Sequence, residues 1–425
     1  MKNKKLDFCM LIVGLAVLAA FVISIMQYGR DLKLAEKKVE SIADIKVPEV
    51  PAVTTTRLNG VVSAEEWSSH YPEIYASYMQ NADNKGHGTV RVSYLETDPD
   101  IKVIYDGIGF SKDYGEAIGH NYTLEDVYET QRPHKLANCL TCKTPDMTAM
   151  VNNMGTQVYS EGFDTVFAQV SEPISCYNCH ANTPGTIVIT HDYMANAMGG
   201  EIEAGKVPAS SVSCAQCHIE YYFDPDTKAT TAPYSTLEEM SPDAILAYYN
   251  EMGFVDFTNS NTEVGMIKVQ HPEFETYYGE GSQHAGTYTC ADCHMGVAYN
   301  KDGDPYASHN LISPLENTEL LISTCSVCHK DLKGQVKEIQ DQVTAREKEV
   351  SALLVKLNEE LAKAIAAGRL SEETLAQVKQ LDRDAQFYWD FVFVENAEGA
   401  HNSKLSHACL DKAEELIRQA LELLK

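Results

Sequence analysis

Positive charge is scarce in this chain. Its 34 Lys and Arg face 61 Asp and Glu, giving a formal net charge of −27 over 425 residues. Phosphate backbones are gripped by basic surfaces, so nucleic acid is excluded as a partner. An anionic ligand would need a locally positive route into such a molecule. Long apolar runs are equally scarce. Only residues 8–26, behind Lys2, Lys4 and Lys5, form an extended uncharged apolar stretch. It approaches the ~20 residues that span a bilayer and exceeds the roughly 7–15 of a signal-peptide core. No A-x-A cleavage site follows it. An uncleaved anchor within residues 1–27 is favoured over a cleaved signal peptide, although Arg30, Lys33, Lys37 and Lys38 just beyond blunt the charge-asymmetry argument.

Cysteine is nearly absent outside one pattern. Ten of the 12 cysteines form five C-x-x-C pairs, leaving only Cys9 and Cys409, too few for a disulfide framework. Four pairs are followed directly by histidine: Cys176–Cys179–His180, Cys214–Cys217–His218, Cys290–Cys293–His294 and Cys325–Cys328–His329. C-x-x-C-H marks covalent c-type haem attachment, with two thiols on the porphyrin vinyls and the histidine on iron. A single C-x-x-C could belong to a zinc site or a redox dithiol, but neither needs histidine after the second cysteine four times over. The first pair differs: Cys139 and Cys142 are followed by Lys143. Lysine ligates iron only as the neutral amine, and burial beside a cationic metal favours that form. Four histidine-type haems read as wires and the lysine-type haem as a reaction centre. The alternative for Lys143 is a degenerate motif with a free surface amine.

Haem c is attached outside the cytoplasmic membrane, so the body of the chain is expected to be exported, periplasmic or on the outer membrane face. A wire haem needs a second axial ligand. Of the ten remaining histidines, His120, His284, His309 and His401 are the distal candidates. His70 and His87 lie in an early polar region, and His134, His191 and His407 read as surface or supporting residues.

These motifs resemble pentahaem cytochrome c nitrite reductase, the ammonia-forming enzyme, over about residues 70–405. The resemblance rests on the lysine-type first motif, on the number and order of the others, and on three further segments. These run from Gly119-His120 to Gln131-Arg132, from Cys217 through His218 and Glu220 to Tyr221, and from Lys268 through Gln270 to His271-Pro272. It implies that Arg132, Tyr221 and His271 line the substrate pocket with Lys143. It implies a calcium ion held by the Glu220 and Gln270 side chains and the Tyr221 and Lys268 carbonyls, an all-oxygen set suited to a hard cation. It assigns His120 to the third haem, His284 to the fifth, His309 to the second and His401 to the fourth. Taken singly, Arg132 is a surface residue type and Tyr221 a core one. Their joint occurrence with the lysine motif selects them. The implied activity is six-electron reduction of nitrite to ammonium, fed by a membrane quinol-oxidising cytochrome c.

The expected fold is a mainly α multihaem cytochrome c, with sparse regular structure around five packed haems and long C-terminal helices. Residues 28–65, with Pro48, Pro51 and a Thr54–Thr56 run, read as a stalk, residues 66–330 as the pentahaem region and 331–425 as helical. Val336, Ile339, Val343, Val350, Leu353, Leu357, Leu361 and Ile365 recur at helical spacing. That stripe is open to two readings, packing within the chain or the seam of a homodimer. Gly368 is the expected C-cap, Ser371 opens the next helix, and a last helix runs over about 404–424.

Overall fold

The computed structural model describes residue 22 and residues 41–48, 50–83, 91–133 and 135–425. The apolar N-terminal segment expected over 1–27, Cys9, the first part of the stalk, His87 and His134 lie outside these residues. Among the described residues, no helix is long and apolar enough to cross a membrane.

Haem-binding sequence offers few long periodic stretches, and regular structure up to residue 330 is correspondingly short. Among the described residues from 41 to 330, helices span 12 residues at most, in Asp192–Glu203. Three two-stranded antiparallel sheets accompany them: Tyr222–Phe223 with Thr230–Thr231, Phe257–Thr258 with Gly265–Met266, and Val297–Tyr299 with Pro305–Ala307. The chain is therefore mainly α.

Three helices then form the C-terminal bundle. The first, Leu332–Ala367, begins where the Asp331 carboxylate accepts from Gly334 N–H and ends at Gly368, whose φ of 58° is the left-handed conformation that glycine adopts without a Cβ clash. The second, Glu372–Phe393, is capped by the Ser371 hydroxyl, with Glu372 and Glu373 facing the positive end of the helix dipole. The third, Ser403–Leu423, is capped by Asn402.

Val343, Val350, Leu357 and Leu361 of the stripe are fully buried within the single chain. So is Leu354, while Leu353 is half-buried, which turns the core-facing line slightly from the one read off the sequence. These positions of the stripe pack within the chain. One continuous apolar cluster joins these helices to Ile101, Tyr105, Ile219, Val269 and Phe274 of the preceding region. The bundle therefore buttresses the region that carries the motifs.

The expected stalk over 28–65 ends earlier than its proline and threonine content implies. Val61 and Val62 are buried, and Val50 and Val53 pack on Trp67 and Tyr71. Arg57 pairs with the fully buried Asp146 at 2.6 Å and with Glu172 at 2.7 Å. Val50, Val53, Val61 and Val62 supply the apolar contacts that bind this segment to the body.

Candidate functional site

All ten motif cysteines line one branched cavity of 2230 Å³ running through the region before residue 330. The second and fourth motifs are single helical turns, Cys176–His180 and Cys290–His294. A helical turn brings residues three and four apart to one face, so both thiols and the histidine point the same way. Local hydrogen bonds fix each turn. Asn178 Oδ1 accepts from Ser175 N at 3.0 Å, and Asp292 Oδ2 accepts from Thr289 N at 2.9 Å. The motifs adjoin one another: Cys142 lies beside Cys217, and Cys214 beside Cys290.

Each motif histidine faces a second histidine across this cavity. Ring centroids are 6.2 Å apart for His180 and His309, 6.2 Å for His120 and His218, 6.0 Å for His294 and His401, and 6.0 Å for His284 and His329. An imidazole bonds a metal ion at about 2.0–2.1 Å, so two rings on opposite sides of one ion have centroids roughly 6 Å apart. The outer nitrogens are held in place. His180 Nδ1 lies 2.8 Å from Thr186 O, His294 Nδ1 3.1 Å from Ile312 O and His309 Nδ1 2.9 Å from Ala307 O. His329 Nδ1 lies 2.9 Å from Gln335 Oε1, and His401 Nδ1 2.6 Å from Glu395 Oε1. Occupying Nδ1 leaves Nε2 for metal, the arrangement by which supporting groups orient a ligating imidazole. The cavity, its thiols and the paired rings therefore fit haem c.

Lys143 lines the same cavity, and so do Arg132, Tyr221 and His271. Thr123 Oγ1 donates to Lys143 O at 2.7 Å. Directly after it, Thr144 caps the helix Pro145–Met154, which fixes where the lysine leaves the backbone. His271 N donates to Ile219 O at 3.2 Å, joining the His271 segment to the chain just after the third motif. Burial outweighs Glu273 and holds the His271 imidazole down to about 4, so the ring is neutral near pH 7. Its Nδ1 is buried and unpartnered among the described residues. Burial, reinforced by the Cys142 and Cys139 thiols, pushes the Tyr221 hydroxyl well above its usual range and keeps its proton on.

Three of the residues implied for a cation, Glu220, Lys268 and Gln270, lie together. Gln270 N donates to Glu220 Oε2 at 2.6 Å, and the Gln270 amide lies 2.7 Å from Lys268 O. Glu220 is buried, and desolvation together with nearby Glu275 and Asp256 pushes its carboxyl well above the usual range. Asp256 is raised to about 6 and Glu275 to about 8, each chiefly by burial. Three buried carboxyls crowded in this way are what a divalent cation would relieve, so the residues fit calcium. Among the described residues no group of three or more His, Cys, Asp or Glu side chains is placed to hold a metal, so the set depends on its carbonyls.

The cytochrome c552 family model matches residues 63–425. The chain belongs to the cytochrome c552 family. A cytochrome c-552 from Parabacteroides distasonis is 30% identical over 409 residues, covering 90% of this chain and 78% of the relative. Among solved structures, a cytochrome c nitrite reductase from Desulfovibrio desulfuricans superposes with a TM-score of 0.73 at 24% identity, over 85% of each chain. That protein is described as having two calcium sites in its catalytic subunit. The fold of this cytochrome is thus that of a multihaem cytochrome c, and its C-x-x-C-H motifs carry covalent haem c.

His191, one of the histidines expected at the surface or in support, is buried in this cytochrome. Its Nδ1 lies 3.2 Å from Gln216 Oε1, and its Nε2 lies 3.1 Å from Thr141 O of the first motif and 3.2 Å from Thr148 Oγ1. Both nitrogens are engaged, so it braces the first motif. Asp390, on the second C-terminal helix, was not legible as a site residue. It accepts from Val269 N at 2.9 Å, from Lys268 Nζ at 3.2 Å, and from the Tyr105 hydroxyl. It anchors the segment that carries Lys268, Gln270 and His271. No local pattern could have flagged it, because the groups it anchors, Lys268, Val269 and Tyr105, lie more than a hundred residues away in the chain.

Proposed function

We propose that this cytochrome reduces nitrite to ammonium at a haem ligated by Lys143, with four bis-histidine haems relaying electrons to it. The observation that carries this reading is a contrast among the five motifs. Four histidines each face a second histidine at 6.0–6.2 Å, whereas at the first motif the Lys143 amine and the Arg132 guanidinium both act on the Cys139 thiol, and Lys143 also acts on the neutral His271 imidazole. The pairs are His180 with His309, His218 with His120, His294 with His401 and His329 with His284.

The lysine-ligated haem would supply an open coordination position and the electrons of the reduction. The Arg132 guanidinium holds the anion and offsets the acidity of the chain. Neutral His271 donates a hydrogen bond to a nitrite oxygen and stabilises the charge that develops on it, the protons that make water being drawn from solvent. Tyr221, kept protonated, is a second donor at the same place. Glu220, Gln270 and the Tyr221 and Lys268 carbonyls would hold a calcium ion, whose charge adds to the pull on an anion.

Export to the periplasm, a membrane quinol-oxidising cytochrome c as donor, an N-terminal membrane contact and a homodimer belong to the same reading. Its test is ammonium production from nitrite with a low-potential chemical donor, run beside haem quantification. Ammonium in stoichiometric yield supports it. A preparation with all five haems that binds neither nitrite nor cyanide and makes no ammonium would leave an electron carrier in its place.

A further inference from the structure

We propose that Phe110 is a positioning residue that holds the Arg132 guanidinium without neutralising it, and so favours anionic over neutral substrates. This rests on the nitrite reading above. A pocket arginine faces two opposing demands. It must be restrained, because a free guanidinium loses rotamer entropy when it binds, yet a carboxylate that restrained it would also consume its charge. Here the restraint comes from an aromatic face and a hydroxyl. The Arg132 guanidinium carbon sits 4.4 Å from the Phe110 ring centroid. Its Nε donates to Thr130 Oγ1 at 3.0 Å, and that hydroxyl in turn donates to Asp113 Oδ2 at 2.7 Å. Among the described residues, Arg132 has no carboxylate within ion-pairing distance.

The turn Gly109–Ser111 is shaped for this contact. A Cβ at Gly109 would lie 3.1 Å from Arg132 Cβ and 3.2 Å from its Cγ, so glycine leaves room for the stem while Phe110 meets the head group. The ring is itself braced. Tyr114 lies edge-on at 4.9 Å and Tyr105 at 6.3 Å. Lys268 Nζ is 5.1 Å from the Phe110 centroid, but that ammonium is already committed to Asp390 at 3.2 Å. Two cations thus share one aromatic cluster; Lys268 is ion-paired with Asp390, whereas Arg132 reaches the Asp113 carboxylate only through Thr130 and at longer range. Cation–π attraction is strongest where the pair is shielded from water.

The test compares Phe110→Met, which keeps volume and loses the ring, with Phe110→Tyr, which keeps the ring. KM and kcat are measured for anionic nitrite and for neutral hydroxylamine, beside haem content. We expect Phe110→Met to raise the nitrite KM about 3- to 10-fold, with kcat little changed and the hydroxylamine KM unaltered, while Phe110→Tyr matches the wild type. An unchanged nitrite KM, an equal rise for both substrates, or a Tyr variant behaving like the Met variant would overturn the proposal. Phe110→Leu is the second ring-less variant, and failure of both to fill with haem would make Phe110 a folding residue instead. If the wild type makes no ammonium, the nitrite reading itself falls. Spectral titration of the oxidised proteins with nitrite then still reads the role of Phe110 in anion binding.

Discussion

Asp382 is fully buried inside the C-terminal bundle, on the face that Glu372–Phe393 turns to Leu332–Ala367. Asn358 Nδ2 donates to Asp382 Oδ1 at 3.3 Å, but Asp382 Oδ2 and Asn358 Oδ1 are both unpartnered. Burial pushes the carboxyl from its ordinary 3.8 up to about 7. Below about pH 4 the group is protonated whether the chain is folded or not, and pH has no effect through it. Between the two values the unfolded chain releases a proton that the folded chain keeps, so stability falls as pH rises. Above about pH 7 the loss is complete. A shift of about 3 units at ~1.4 kcal/mol each amounts to about 4 kcal/mol. Asp382→Asn removes this cost and supplies an N–H to the unpartnered Asn358 oxygen. Its gain should be about 1.5 kcal/mol at pH 5 and about 4 kcal/mol at pH 8. Denaturant midpoints of the haem-loaded protein, with hydrogen exchange of the two helices, measure both values. A gain that does not grow with pH would refute the argument, and so would a loss at pH 8.

Lys143→His should leave five haems attached and abolish most ammonium formation, read by haem absorption and a nitrite assay on one preparation. Unaltered turnover would remove lysine ligation from the proposed mechanism. Glu220→Gln should lower calcium content and reduce nitrite turnover on the order of 10-fold or more, checked by metal analysis of the purified protein. Leu357→Ala opens a cavity at a fully buried bundle position and should cost about 2–5 kcal/mol, seen as a lowered denaturation midpoint. Changing Cys325 and Cys328 together to serine should reduce the haem count by one, measured by mass.

Attachment chemistry was local and therefore readable. Two thiols and a ligand within five consecutive residues act through one helical turn, and no distant partner is needed to recognise Cys176–His180 or the lysine at 143. Helix ends were readable for the same reason: Gly368 and Ser371 act on backbone groups within a few positions of themselves. The distal histidines were candidates by count and were assigned to haems only by resemblance, since nothing in the spacing of His120 and His218 says that their rings meet. The stripe from Val336 to Ile365 announced a helix but not what covers it, because period specifies a face and never its partner.

Tertiary structure alone decided which groups meet across the chain. It brought the Asp390 carboxylate to Lys268 and the Phe110 ring to Arg132, and it bound the supposed stalk to the body through Arg57 and Asp146. These contacts join residues far apart in sequence, where neither periodicity nor motif spacing records the neighbour. Covalent haem attachment is written in short words of sequence. The charge and order of the pocket depend on folding, because burial is what gives a carboxylate or a guanidinium its partners and its strength.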